Sequence, residues 1–134
     1  MSLKITLRDG EKMVINGAVV RSVGRTEIHV ENQASILRSR ELMSPDEATT
    51  PARKLYFATM MAYIQPDQTE MYQDDILVLL GELLDAFEAP AAKAICAGFA
   101  REIALGNFYR ALDECRALLE YEATVFARGT TRAA

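Results

Sequence analysis

Leu3, Ile5 and Leu7 fall on one side of an extended chain and Lys4, Thr6 and Arg8 on the other, the period-two alternation of a strand with one wet face. Asp9-Gly10 supplies a turn, and Met13 to Ile15 resumes the extended pattern. Asn16-Gly17 then predicts a two-residue hairpin, because a type I′ turn needs positive φ at both central residues. Ala18 to Val23 and Thr26 to Val30, on either side of Gly24-Arg25, add two strands, and Ser35 to Arg38 reads as a fifth. Val19-Val20 blurs the alternation and leaves the facing of Arg21 open. The expectation is an antiparallel meander of four to five short strands.

From Ser44 onward the periodicity changes. Ser44-Pro45 and Thr50-Pro51 both read as an N-cap followed by proline at the first helical position. Ala52 to Ile64 is apolar on nearly every side, which predicts a buried helix, with a buried strand as the alternative. Pro66 ends that segment, and Asp67 or Thr69 caps a second helix whose Ile76, Leu80, Leu83, Leu84 and Phe87 form a wide apolar stripe opposite an acidic face. After Pro90, Ile95, Phe99 and Ile103 make one more stripe that Gly106 closes. Asn107 caps a last helix carrying Phe108, Leu112, Cys115, Leu119 and Phe126, so the two form an αα-hairpin. The fold class is α+β: a β-meander lobe over residues 1–44, a bundle of about four helices over 45–128, and a small, polar, disordered tail over 129–134, in one compact domain.

Half of the 134 residues are apolar, enough for one core, yet no run approaches the roughly 18 uninterrupted apolar residues of a membrane helix. The opening residues lack the pattern of a secretory signal, so a cytoplasmic protein without membrane association is expected. Cys96 and Cys115 sit among apolar helical neighbours and read as free core thiols. With one histidine, no serine-nucleophile motif, no phosphate-cradling glycine loop and no metal-ligand cluster, neither enzyme chemistry nor a cofactor or metal is expected. His29 lies between Glu27 and Glu31 on an outward strand face and reads as solvated. Asp74 and Asp75, adjacent on a helix, diverge by about 100° and do not form an acid–base pair.

The net charge of −4 hides an uneven distribution that changes the picture. Residues 1–65 carry nine basic and seven acidic side chains, and residues 66–134 carry six and twelve, so any polyanion should approach the first half. Arg21, Arg25, Arg38, Arg40, Arg53 and Lys54 fall near turns and element junctions, not at helical spacing from acids. Arginines so placed can grip phosphates bidentately and stack on unpaired bases, as in recognition of single-stranded RNA. Tyr56 and Phe57 would add stacking surfaces, although inside an apolar segment both read mostly as core. Scattered surface arginines serve mostly in solvation or surface ion pairs, so residue chemistry alone favours that reading over RNA binding.

The order and spacing of several short segments is similar to the FlbT family of alphaproteobacterial flagellar regulators. The likeness runs from Leu7 and Gly10-Glu11-Lys12 through Ile15-Asn16-Gly17-Ala18-Val19-Val20 and Leu37-Arg38. It is sharpest at Thr50-Pro51-Ala52-Arg53-Lys54-Leu55-Tyr56-Phe57, then returns at Phe108-Tyr109-Arg110-Ala111-Leu112 and Leu119-Glu120-Tyr121-Glu122. Lys54 departs from a second arginine often found there and gives up bidentate grip. The resemblance implies a repressor that binds the 5′ untranslated leader of flagellin mRNA and lowers its stability or translation, although some members promote flagellin production. It also implies a protein partner, FlaF or flagellin itself, for which Ile76, Leu80, Leu84 and Phe87 are the candidate contact residues, with homo-oligomerisation open.

Overall fold

The structure, a computed structural model, describes residues 3–133, with side chains through Ala127. It divides into two compact units: Met1–Leu42 with Ile64–Pro66, and Met43–Tyr63 with Asp67–Ala134. Five antiparallel strands followed by four helices make an α+β chain in the expected order.

In the first unit, β1 (Leu3–Leu7) pairs with β4 (Thr26–Val30), and β2 (Lys12–Ile15) lies between β3 (Ala18–Arg21) and β5 (Ile36–Arg38). Pairing is therefore not strictly sequential. The link between β1 and β2 closes on itself, with the Glu11 N–H donating to the Arg8 carbonyl at 3.0 Å and the Arg8 N–H to the Glu11 carboxylate at 2.9 Å. That corner is tied to the end of β3, since Gly10 N–H donates to the Ser22 carbonyl at 2.8 Å and Ser22 N–H to the Glu11 carbonyl at 2.9 Å. β1 is left to find its ladder with β4. Ile5, Leu7 and Met13 are buried, and Ile15, Val20, Ile28, Val30 and Ile36 pack around them, so the inward faces of both sheets share one core.

The Asn16-Gly17 hairpin has φ of 49° and 83°, the positive pair its turn type demands. Asn16 also fastens the turn to the approach of β5: its N–H donates to the Ser35 carbonyl and its Oδ1 accepts the Ser35 N–H, both at 2.8 Å.

The second unit begins with α1 (Pro51–Ile64), which buries Ala52, Leu55, Tyr56, Ala58, Thr59, Met60 and Ala62. That burial on most sides selects the helix over the strand alternative. Thr59 satisfies its hydroxyl on the Leu55 carbonyl at 2.8 Å, the i−4 bond a buried helical threonine needs. α2 (Thr69–Ala86) buries Ile76, Leu80 and Leu83, and Phe87 caps its end. α3 (Pro90–Ala104) buries Ala92, Cys96, Phe99 and Ile103. It packs along α4 (Phe108–Ala133) after a turn in which Gly106 takes φ of 77°. Asn107 follows as the first flanking residue of α4, its carbonyl accepting the Ala111 N–H at 2.9 Å and its amide donating to Glu102 at 3.1 Å.

The buried face of α4 is Ala111, Leu112, Cys115, Leu118 and Glu122, whereas Leu119 is half-buried and Phe126 exposed. The stripe is rotated from the expected one because a charged residue, Glu122, belongs to it. The helix carries through Ala133, past Gly129 where the sequence reading ended the ordered chain; side chains beyond Ala127 and the last residue lie outside the described residues.

Candidate nucleic-acid interface

Of the six basic side chains singled out from the sequence, four belong to the first unit and two to the second. Arg21 ends β3 and stands directly opposite Lys12 of β2, so the two cations share a sheet face, both exposed. Like charges in directly opposed positions destabilise a sheet unless something neutralises them. Arg25 follows Gly24 at the tip of the β3–β4 turn and is exposed. Arg38 ends β5 opposite Met13 and is half-buried, and its backbone N–H donates to the buried Glu41 carboxylate at 2.9 Å. Arg40 lies in the 3-10 turn Ser39–Glu41, exposed. Among the described residues, none of these four side chains comes within ion-pair distance of an acid, whereas Lys4 on the other sheet holds Glu27 at 2.7 Å.

Lys12 was absent from the sequence-derived set. It was within reach: a two-residue hairpin at Asn16-Gly17 pairs Ile15 with Ala18, which carries Lys12 opposite Arg21 three rungs on.

In the second unit, Arg53 and Lys54 occupy the first turn of α1 and are exposed. No acid sits in that turn, so two cations add to the positive end of the helix macrodipole. The backbone donors there are already taken. Thr50 accepts the Arg53 N–H on its hydroxyl at 3.2 Å and the Lys54 N–H on its carbonyl at 2.8 Å. Glu122 of α4 accepts the Ala52 N–H at 2.9 Å and, on its other oxygen, the Thr50 hydroxyl. An anion arriving at this end would therefore meet the Arg53 and Lys54 side chains, not open N–H groups.

Arg53 also donates to the Thr49 hydroxyl at 3.5 Å. Its charge is one reason the Glu47 carboxyl is held below the usual carboxylate range, behind the larger effects of the Ser44 N–H and hydroxyl, which donate to Glu47 at 3.1 and 3.0 Å.

The same Glu122 acts on one of the two thiols. Cys115 is fully buried beside the Ala52 carbonyl, to which its Sγ lies 3.8 Å away. Burial pushes its pKa strongly up, and the Glu122 charge and the nearby Cys96 push it further; burial also raises Cys96. Both are free thiols in an environment that keeps them protonated and unreactive.

Tyr56 is buried in the core and drops out as a stacking surface. Phe57 is half-buried and lines a groove of about 360 Å³ between α1 and α2, with Lys54, Tyr72, Asp75, Val78 and Leu79 among its walls. The stripe expected to meet a protein partner is used mostly inside the unit: Ile76, Leu80 and Phe87 are buried, and only Leu84 is exposed. Phe87 meets Tyr121 of α4 edge to face, ring centroids 5.0 Å apart.

Two of the sequence segments quoted above, Thr50-Pro51-Ala52 and Tyr121-Glu122, are thus joined across seventy residues by one buried carboxylate. The model of the flagellar protein FlbT family matches residues 3–126. A flagellum biosynthesis repressor protein FlbT of Caulobacter vibrioides (strain CB 15) is 37% identical over 123 residues, 91% of this chain and 87% of that protein. Probable flagellum biosynthesis repressor proteins FlbT of Caulobacter sp. (strain K31) and Rhodopseudomonas palustris (strain CGA009) are 38% and 32% identical, covering 91% and 96% of this chain and 94% and 100% of their own lengths. No solved structure matches. With the family's pattern matched across nearly every element just described, the chain belongs to the FlbT family of flagellar proteins.

Proposed function

We propose that this protein represses flagellum synthesis after transcription, by binding the 5′ untranslated leader of flagellin mRNA in the cytoplasm and lowering its stability or translation. The relatives' designation as flagellum biosynthesis repressors supports the biological role. The observation that carries the chemistry is the opposed Lys12–Arg21 pair: two exposed cations held side by side with no acid in ion-pair distance among the described residues. Arg25 and Arg40 extend the exposed positive charge of that unit, Arg38 adds a half-buried guanidinium, and Arg53 and Lys54 present two more cations at the start of α1. Guanidinium groups of this kind neutralise phosphate and stack on unpaired bases, so single-stranded leader segments are the ligand they fit best. The action is binding without catalysis, and decay of the message requires a recruited nuclease.

The test is fluorescence anisotropy of the purified protein with its flagellin leader and with a scrambled leader across a salt series. Neutralising six phosphates gives a log–log slope of roughly −4, at about −0.7 per contact on a single strand. Changing Arg38, Arg40 and Arg53 to Glu abolishes leader binding while the far-ultraviolet spectrum stays unchanged. A salt-independent affinity, or the same affinity for the scrambled leader, counts against the reading. Repeating the series with FlaF present shows whether that partner competes with RNA.

A further inference from the structure

α2 carries a feature that RNA binding does not use. Away from its buried stripe, Met71, Leu77 and Val78 are 53%, 56% and 63% exposed, and Leu84 is 39% exposed. Single exposed apolar residues need no explanation. Gly81, in the middle of the same face, does. A glycine inside a helix costs about 0.8–1 kcal/mol against alanine. Here a Cβ would meet nothing within 4 Å, and φ does not lie in the left-handed region, so neither packing within this chain nor backbone geometry calls for glycine.

Its helical neighbours at −4, −3, +3 and +4 are Leu77, Val78, Leu84 and Asp85, three apolar side chains and one carboxylate. Gly81 is therefore the floor of a shallow notch walled by three of the four exposed apolar side chains, and glycine is the residue that lets another backbone approach closely.

Charge decides what can lie in the notch. α2 carries Glu70, Asp74, Asp75, Glu82 and Asp85 and no lysine or arginine. A second copy docking through the same face would bring Glu70, Asp74 and Asp85 against the same three acids, and RNA would bring phosphates, and like-charge juxtaposition disfavours both. The groove beside Lys54 and Phe57 adjoins this face through Val78, and its Phe57, Tyr72 and Leu79 walls suit one large apolar side chain.

We infer that the outer face of α2, centred on Gly81, docks an amphipathic helix of a partner protein, with an apolar stripe over the notch, lysine or arginine flanks against the carboxylates, and one anchor side chain in the groove. Only Lys54, at the edge of the groove, is shared with the basic residues assigned to RNA; α2 itself carries none of them, and the inference stands whether or not that reading holds.

The probe is a labelled 18-residue designed helix with leucines at helical spacing and lysine flanks, compared with a same-composition scramble and a glutamate-flanked version, titrated against the full chain by anisotropy. The lysine-flanked helix binds at least about tenfold more tightly than either control. Gly81→Leu, whose side chain enters open space and whose helix propensity is better, weakens binding about tenfold or more and melts no lower than wild type. Leu77→Asn, an exposed position, weakens binding independently. Equal binding of the scramble overturns the inference, as does full affinity in Gly81→Leu. So does a change in the protein's own sedimentation on that substitution, which would mean that a second copy fills the notch, or a loss of leader RNA binding, which would mean that RNA does.

Discussion

Removing the Glu122 side chain should loosen the start of α1. Glu122 is 3% exposed and accepts two donors from residues seventy positions away, the Ala52 N–H at 2.9 Å and the Thr50 hydroxyl. In Glu122→Ala the Ala52 amide, itself in a fully buried residue, is left without its partner, at about 1–3 kcal/mol for an unsatisfied buried group. Thr50 keeps its bond from the Arg53 N–H but loses the carboxylate that orients its hydroxyl, at about 1 kcal/mol for a weakened cap. The cavity and the lost negative charge at the helix N-terminus add to this, so the expected loss is about 3–4 kcal/mol, a large fraction of the 5–15 kcal/mol of a small domain. Glu122→Gln keeps one acceptor and should lose roughly half as much. Urea unfolding followed by circular dichroism gives both values, and a double-mutant cycle with Thr50→Val isolates their coupling, expected at about 1 kcal/mol or more. If Glu122→Ala costs under about 1 kcal/mol, or the cycle shows no coupling, the carboxylate is not the clamp that the geometry implies.

Glycine substitutions should move stability in opposite directions at two sites. Gly81→Ala gains about 0.8–1 kcal/mol by helix propensity alone, read as a raised urea midpoint. Gly17→Ala, at φ of 83° with a Cβ that would lie 2.8 Å from the Ile64 carbonyl oxygen, loses about 2 kcal/mol or more. The raised Cys115 pKa predicts alkaline sensitivity. A thiol that binds its proton more tightly folded than unfolded contributes stability fully below its unfolded pKa of about 8.5, and that contribution declines as pH rises above it, by up to about 1.4 kcal/mol per pH unit. Urea midpoints measured from neutral to alkaline pH should therefore fall more steeply for the wild type than for Cys115→Ala, and equal slopes would remove the thiol from the account.

Much of the architecture was legible from the chain alone, because the signals involved act within a few residues. Alternation at Leu3–Leu7, the Asn16-Gly17 turn, prolines at Pro51 and Pro90 and the stop at Gly106 placed strands and helices close to where they lie. Those positions respond to local torsional preferences and missing backbone donors, which do not depend on the rest of the fold. The register that sets Lys12 against Arg21 was also implicit in the hairpin, one inference further than the sequence reading carried it.

What only the tertiary structure decided was the destination of each face. The apolar stripe of α2 supplied the candidate partner contacts, since hydrophobic spacing states that a surface is to be covered and not by what; packing within the helical unit took Ile76, Leu80 and Phe87 and left Met71, Leu77, Val78 and Leu84 outside. Tyr56 went inward by the same competition. Nothing in the sequence sets Glu122 apart from the other acids of the last helix, and its role as the acceptor for Ala52 and Thr50 depends on α4 meeting the start of α1, a contact between segments seventy residues apart. Pairing of β1 with β4 is of the same kind. Short-range preferences choose the elements, whereas burial and hydrogen-bond satisfaction, summed over the whole chain, choose their neighbours.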